Sequence, residues 1–195
     1  MSLTGTATKK GKFYWLRADA AARLALEASG EPLLENVMHC DTEAMLIGKP
    51  GGGKTFTVLD WFYHGAKGAP RAGLATKQGA YVFVAAEAQA KINDRIAALE
   101  KKYGPLGNTP LVVIPVAPDL AHGLQDTREL IAMLFEIEKE LGQKIRIVAI
   151  DTLNRALAGG DENSSKDIGA VINATGLIRS PTPSFVKPRC FPENQ

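Results

Sequence analysis

The sequence predicts an α/β fold with a largely parallel sheet, and two observations predict it. Apolar runs of strand length recur at residues 81–87, 111–116 and 145–151, and none of them alternates with polar residues. Such runs are typical of strands that are buried on both faces, as in parallel sheets. Stretches of helical periodicity separate the runs, which is the order of a sheet with helices packed on its faces. We see no internal repeat and no interdomain linker, so we expect one domain.

We divide this domain into three segments. Residues 1–29 comprise a polar arm as far as residue 12 and a helix from Phe13 to about Ala28. Residues 30–179 form the core, and residues 180–195 form a proline-rich tail.

Within the core, the short apolar run 44–47 is expected to be a strand that leads into a glycine-rich loop. The helix after this loop contains Phe56, Leu59 and Phe62 near helical spacing, with Gly65 and Gly68 as stops.

Three further helices follow. Ile92, Ile96 and Leu99 mark the apolar face of a helix that ends at Gly104. A second helix is expected to begin at Asp126, because Glu129 three residues later resembles a capping box. The last covers residues 164–179, with Ser164 or Ser165 as its cap.

The composition excludes several classes of protein. The chain has 195 residues, of which 45% are hydrophobic and 23% charged, as is ordinary for a globular protein with a buried core. Its net charge of +2 is too small to indicate nucleic acid by itself. No apolar run approaches the roughly 20 residues of a membrane span, and the start of the chain lacks the apolar region of a signal peptide. Cys40 and Cys190 have no metal-type spacing, so we expect a cytoplasmic, reduced protein without a membrane partner.

The strongest motif is GKPGGGKT at residues 48–55, which fits G-x-x-x-x-G-K-[ST] in full. Glycines let successive backbone N–H groups turn inward around phosphate oxygens, where side chains would obstruct them. In this pattern Lys54 reaches the β- and γ-phosphates, and the Thr55 hydroxyl is a ligand of Mg²⁺. The helix that follows directs the positive end of its dipole at the anion. The motif therefore predicts binding of ATP with Mg²⁺, a chance glycine-rich turn being the alternative. The predicted nucleotide-binding residues are Gly48, Pro50, Gly51, Gly52, Gly53, Lys54, Thr55 and Phe56.

A second motif is the run IRIVAID, which ends at Asp151. The ligands of parallel sheets gather at the carboxyl ends of the strands, where Asp151 is expected to lie. An acidic residue at this place corresponds to the Walker B acid, which holds Mg²⁺. Asp151 is therefore the predicted magnesium acid, acting through water. A carboxylate that caps its own loop is the alternative.

A third candidate is Glu87, which ends the run YVFVAAE. Thr152 rather than a second acid follows Asp151, and a hydrolytic enzyme still needs a base near the γ-phosphate. A carboxylate at the tip of a neighbouring strand can reach that water, so we predict Glu87 as the general base. The alternative is a glutamate at a helix N-terminus, favoured by the helix dipole.

Together these motifs resemble the RecA-like branch of phosphate-loop ATPases, in which the catalytic glutamate lies on the strand after the first helix. More narrowly, the chain is similar to the AAA_25 group, which includes RepA-type hexameric plasmid replication helicases and many phage ATPases. Three segments carry the resemblance, and together they fall within about residues 30–179. They read AMLIGKPGGGKTFTVLDW, GAYVFVAAEAQAKINDRIAALEKKYG and IRIVAIDTLNRALAGGDENSSKDIGAVI.

The resemblance implies a three-layer αβα fold and a set of roles. Lys54 and Thr55 would bind phosphate and Mg²⁺, Glu87 would be the base, and Asp151 the magnesium acid. Arg95 matches the place of an arginine that reaches a neighbouring subunit's nucleotide and stabilises charge in the transition state; a solvated arginine is the alternative. The implied partners are further copies of the chain, as a hexamer, and single-stranded DNA. The loop from Asn154 to Asn163 would then contact DNA or a neighbour, or be a plain surface loop.

The chain departs from the family pattern at its end. In the family, the helix at 164–179 is followed by an apolar strand that lies between the phosphate-loop strand and the strand of Asp151. Residues 180–195 instead read SPTPSFVKPRCFPENQ, and their four prolines lack the N–H groups that a central strand needs. We therefore expect a sheet that is incomplete at its C-terminal part, in a chain that is truncated; a shortened natural relative is the alternative.

Three functions are compatible with these motifs. The first is a RecA-like ATPase that acts as a helicase-type motor or loader in phage or plasmid DNA replication or recombination. The second is a nucleotide-binding module that regulates or scaffolds a partner without turnover. The third is a small-molecule kinase, which would normally have lid arginines and a substrate-binding acid after the first helix. The strand that carries Glu87 and the segment DTLNRALAGGDEN argue against it.

Overall fold

The computed structural model describes residues 8–10, 13–15, 32–40, 42–87 and 89–179, and of residues 8–10, 13–15, 89 and 90 the backbone alone. The predicted tail 180–195, with Cys190, lies outside the described residues, as does most of the predicted N-terminal segment. None of the helices in the described part of the chain combines the length and apolar character that crossing a bilayer requires.

Two short antiparallel hairpins precede the main sheet. Strand β1 (Thr8–Lys10) pairs with β2 (Phe13–Trp15), and β3 (Pro32–Leu34) pairs with β4 (Met38–His39). The predicted helix from Phe13 is therefore wrong over its first three residues, and the predicted polar arm is wrong at residues 8–10. Aromatic residues favour strands, and pairing with β1 supplies the backbone partners that a helix would otherwise provide.

The main sheet has three parallel strands, as the apolar runs predict, and the structure places them in the order β6–β5–β7. Its members are β5 (Ala80–Ala85), β6 (Leu111–Ile114) and β7 (Ile145–Asp151). All six residues of β5 are buried, because this strand has a neighbour on each edge and helices on each face. Strand β6 ends before Pro115, which has no N–H to continue the ladder.

Helices cover both faces of this sheet. They are α1 (Lys54–Lys67), α2 (Gln89–Tyr103), α3 (Gln125–Leu141), α4 (Leu153–Ala156) and α5 (Ser165–Arg179).

One apolar cluster joins α1 and α2 to one face of β5, through residues such as Phe62 and Phe83. A second cluster joins α3 to the opposite face, where Val82 and Val84 pack against Leu130. The alternation of β5 side chains between the two clusters follows from the pleat of the strand.

The predicted strand at 44–47 is absent from the structure. Residues 42–49 have no regular structure, and Met45, Leu46 and Ile47 are exposed, Ile47 by 82%. Among the described residues no strand pairs with 44–47: the three-stranded sheet ends at β7, and this segment forms no ladder with the outer edge of β7 that would hold it extended.

Gly65 is not the predicted stop but lies inside α1, where the helix crosses β5. A Cβ at this position would lie 2.2 Å from Cζ of Tyr81, so only glycine allows the helix this close to the strand. Gly68 is the true end of α1: its φ of 65° is left-handed, and its N–H donates to the Gly65 carbonyl.

Two predicted helix caps have different outcomes. Helix α3 begins at Gln125 without a side-chain cap, so the predicted capping box at Asp126 is wrong. The Asp126 carboxylate instead accepts a hydrogen bond of 2.7 Å from the backbone N–H of Asp119, which orders the preceding turn. At α5 the prediction is confirmed, because the Ser164 hydroxyl accepts a bond from the N–H of Asp167.

An ion pair ties α1 to the loop that follows it. Nε of Arg71 donates to a carboxylate oxygen of Asp60 at 2.8 Å, and the guanidinium lies over the Trp61 ring. Burial by itself raises the pKa of Asp60, but hydrogen bonds from Arg71 and Tyr103 and the charge of His64 hold this pKa below its ordinary value. The charged form of Asp60 therefore contributes to folding.

We expect Gly65→Ala to lower the free energy of unfolding by about 1–3 kcal/mol, because α1 must move away from Tyr81. The control is Gly169→Ala in α5, where a Cβ would meet nothing within 4 Å. Alanine is the better helix former, so this control should unfold at equal or higher denaturant. Urea denaturation of both variants measures the difference, and equal destabilisation of the two would contradict the packing argument.

We expect Asp60→Asn to be less stable than the wild type at pH 7, by up to about 1 kcal/mol for this partly exposed pair. Because the pKa of Asp60 is lowered on folding, its contribution is complete above the unfolded value near 4 and is lost as the pH falls through the folded value. The difference in the free energy of unfolding between variant and wild type should therefore become smaller as the pH falls from 5 to 3. Urea denaturation across this range tests it, with the exposed Glu140→Gln as control; a difference independent of pH would contradict the assignment.

Candidate active site

The glycine-rich loop is an exposed turn ahead of α1. Gly51 and Gly53 have φ angles of 75° and 79°, which are strained for residues with a side chain. The N–H of Gly52 donates to the Lys49 carbonyl at 3.1 Å and closes the turn. Gly53 precedes α1 without a side-chain cap, and the first turn of the helix carries no acidic residue. The N–H groups at this helix end are thus left to an external anion.

Lys54 lies at the first position of α1 with its side chain directed back along the loop. Its ammonium donates to the Gly48 carbonyl at 2.8 Å and to the Lys49 carbonyl at 3.1 Å. These contacts hold the ammonium against the carbonyls at the start of the loop. A bound phosphate would replace the two carbonyls as the hydrogen-bond partner of the ammonium, because its charged oxygens are stronger acceptors.

Thr55 and Asp151 meet although they are 96 residues apart in the chain. The Thr55 hydroxyl donates to a carboxylate oxygen of Asp151 at 2.6 Å. Both side chains are partly buried, and both lie at the carboxyl end of the sheet, where β7 ends. This contact joins the phosphate-loop motif to the acid of the IRIVAID motif.

Glu87 lies two residues after the end of β5, beside Asp151. Its backbone N–H donates to the Asp151 carbonyl at 3.0 Å and continues the ladder between β5 and β7. The side chain is exposed, and among the described residues it has no hydrogen bond or ion pair. The carboxylate is therefore open to water at the same edge of the sheet as Asp151 and Thr55.

Arg95 lies on α2 with its guanidinium over the ring of Phe56 in the same chain. The guanidinium carbon is 5.7 Å from the centre of the ring. Phe56 is the residue after Thr55, and its side chain is 47% exposed. The periodicity of the sequence predicts that Arg95 lies on a helix. Its contact with Phe56 depends on how α2 packs against α1, and no sequence motif indicates that contact.

The segment after Asp151 is more firmly attached than a surface loop. Its first turn is α4, and Ala156 and Leu157 are buried in an apolar cluster with Leu120 and α5. Arg155 is exposed on the outside of this turn. The predicted loop 154–163 is thus anchored at its start, and its polar residues face solvent from there on.

The residues of this site suit a magnesium ion bound with a nucleotide. Mg²⁺ prefers oxygen ligands and is commonly held by one or two protein groups together with substrate phosphates and water. The Thr55 hydroxyl and the Asp151 carboxylate supply such oxygens side by side, and Lys54 supplies a charge for phosphate. The described residues contain no group of three or more histidines, cysteines or acids placed so that it could hold a metal ion.

The structure therefore brings together most of the predicted site residues. Four of them lie together at the carboxyl end of the sheet, namely Lys54, Thr55, Glu87 and Asp151. Next to Thr55, the Phe56 ring contacts the Arg95 guanidinium. The position of Arg95 relative to another copy of the chain stays a prediction.

Comparison with known proteins agrees with this geometry. The family model AAA_25, described as an AAA domain, matches residues 15–183. No curated protein and no solved structure matches the chain significantly. The family match covers most of the chain and supports nucleotide binding of the ATPase type. With the phosphate loop and two acids at one sheet edge, it identifies the chain as a member of the AAA_25 family of AAA domains.

Proposed function

We propose that this protein binds ATP with Mg²⁺ and hydrolyses it, as a RecA-like ATPase related to RepA-type replicative helicases. The observation that carries the proposal is the hydrogen bond between Thr55 and Asp151, because it joins the two motifs that ATP hydrolysis needs. Family membership supports the ATPase class. A role in phage or plasmid DNA replication or recombination rests on the sequence resemblance.

In this proposal the phosphate loop binds and orients the triphosphate. The N–H groups at the start of α1 and the ammonium of Lys54 neutralise the β- and γ-phosphates, which lowers the cost of charge on the transferring group. Bound Mg²⁺ would further neutralise the phosphate oxygens. Thr55 and Asp151 hold their oxygens at 2.6 Å from each other and so define where that ion binds.

Glu87 acts as the general base of the proposed reaction. Its exposed carboxylate takes a proton from the water that attacks the γ-phosphorus. The new P–O bond forms as the bond from the γ-phosphorus to the β–γ bridging oxygen breaks, and ADP and phosphate leave. The N–H···O=C bond from Glu87 to Asp151 fixes the backbone of the base relative to the magnesium acid.

Assembly and DNA binding extend the proposal. Related helicases act as hexamers on single-stranded DNA, and we propose the same partners for this chain. Arg155, exposed just after the site, is a residue that could contact either one.

One observation favours a second candidate, a nucleotide-binding module without turnover. The segment 44–47, which leads into the phosphate loop, is exposed and has no strand partner among the described residues. The loop is thus held mainly from the α1 side, and ahead of it the Thr175 hydroxyl of α5 donates a hydrogen bond to the Glu43 carboxylate. This support suffices for binding, whereas hydrolysis requires the reacting groups to be positioned within a fraction of an ångström.

Mg²⁺-ATP should protect the protein against heat, and Lys54→Ala should abolish the protection. A ligand at a hundredfold excess over its Kd stabilises by about 2.7 kcal/mol, which is roughly 5–10 °C for a chain of this size. Thermal melts with and without Mg²⁺-ATP measure the shift. Lys139→Ala, which removes an exposed lysine of α3, is the matched control and should keep the full shift. No shift in the wild type, or an equal shift in Lys54→Ala, would refute ATP binding at this loop.

Glu87→Gln should keep the thermal shift with Mg²⁺-ATP but lose about 10²–10⁴-fold in hydrolysis rate, because the amide cannot accept the proton. Phosphate release with and without single-stranded DNA measures the rate in both proteins. DNA-stimulated release that Glu87→Gln lacks supports the ATPase motor. Binding in both proteins without measurable release in either supports the module instead.

A further inference from the structure

The contact between Arg95 and Phe56 has a consequence for the site. Ile92 and Leu99 are buried against the sheet, and Arg95 lies one turn from each on the flank of α2 that meets α1. Phe56 lies in the first turn of α1, directly after the hydroxyl that binds Asp151. The packing of the two helices therefore brings a guanidinium to the phosphate loop of its own chain.

The charge of Arg95 is not used by the fold. Among the described residues, Arg95 has no hydrogen bond and no ion pair, and its guanidinium lies over the Phe56 ring. A guanidinium over an aromatic ring keeps its N–H donors at its edge, where they remain available to a planar or charged acceptor. Arg71, by contrast, lies over Trp61 while its Nε donates to the Asp60 carboxylate. Arg95 has the same support from an aromatic ring, but no carboxylate of the described part of the chain binds it.

We propose that Phe56 is a positioning residue: its ring holds the Arg95 guanidinium beside the phosphate loop, where Arg95 binds the terminal phosphate of a nucleotide in the same chain. The inference rests on the proposed function, because it takes the ligand of the loop to be a nucleoside triphosphate. It differs from the resemblance-based expectation, in which this arginine serves a neighbouring subunit. A positive charge here favours the triphosphate over the diphosphate, since the extra phosphate carries the extra negative charge.

The test compares ATP with ADP for binding, in a Glu87→Gln background that prevents turnover. Each nucleotide competes with a fluorescent ADP analogue in the presence of Mg²⁺, and the ratio of the two Kd values is the readout. Arg95→Ala should lower the preference for ATP about tenfold or more, as expected for a lost charged hydrogen bond. Phe56→Leu, which keeps an apolar side chain but removes the ring, should lower it about 2–5-fold. Phe56→Tyr, which keeps an aromatic ring, should have the wild-type ratio. The double variant with Phe56→Leu and Arg95→Ala should lower the preference for ATP no further than Arg95→Ala alone.

A matched control comes from the other end of α2. The Lys102 ammonium lies 4.7 Å from the centre of the Tyr103 ring, so Lys102→Ala removes a cation from an aromatic ring away from the loop. This variant should keep the wild-type preference for ATP. Thermal melts without nucleotide show whether each variant folds, and Phe56→Leu tests the idea even where Arg95→Ala does not fold.

A mixing experiment separates the two possible sites of action. An excess of Lys54→Ala chains, which carry Arg95 but no working loop, is added to Arg95→Ala chains. Unchanged ATP preference supports action within one chain, whereas restored preference means that Arg95 acts across a subunit boundary and overturns the inference. Wild-type chains that bind neither nucleotide would refute the proposed function itself. Wild-type binding with unchanged ratios in Arg95→Ala and Phe56→Leu would refute this inference alone.

Discussion

The parallel ladder between β5 and β7 is the interaction on which the rest of the structure depends. It pairs Ala85 with Asp151 and continues into the bond from the Glu87 N–H to the Asp151 carbonyl, so both acids leave the sheet at one edge. Because side chains alternate along a strand, a slip of one residue would turn the side chains of β7 to the opposite faces of the sheet and break both apolar clusters. The burial that stabilises the sheet thus also sets the position of the site.

Helix α1 packs on this sheet and thereby positions the phosphate loop at its N-terminus. Phe62 packs on β5, and Gly65 lets the helix approach Tyr81. These contacts fix the N-terminus of α1 at the position where Thr55 binds Asp151. The other end of the loop has no comparable support, since residues 44–47 are exposed and unpaired among the described residues. The site therefore combines acids held by the sheet with a phosphate loop held mainly from the α1 side.

Predictions from the sequence succeed where local pattern and burial agree. The continuous apolar runs form the three strands β5, β6 and β7, and the periodic stretches form α1, α2 and α5. The predicted burial on both faces is confirmed for β5 alone, because β6 and β7 are mostly half-buried at the two edges of the described sheet. The predictions fail where a partner distant in sequence decides. Residues 44–47 have strand composition but pair with no strand among the described residues. Gly65 marks a close approach rather than a stop, and Asp126 orders a turn rather than capping a helix. None of these partners can be read from a local window.

The sequence by itself determined the chemistry of the candidate site. The types and order of residues in GKPGGGKT, and the acids that end two buried runs, indicate phosphate and Mg²⁺ binding because only a few residue types can supply N–H groups, an ammonium and oxygen ligands. The tertiary structure alone decided which of these groups meet. Thr55 bonds Asp151 across 96 residues, and Arg95 lies over Phe56 of its own chain, because contacts between elements follow from how helices pack on a sheet rather than from spacing along the chain.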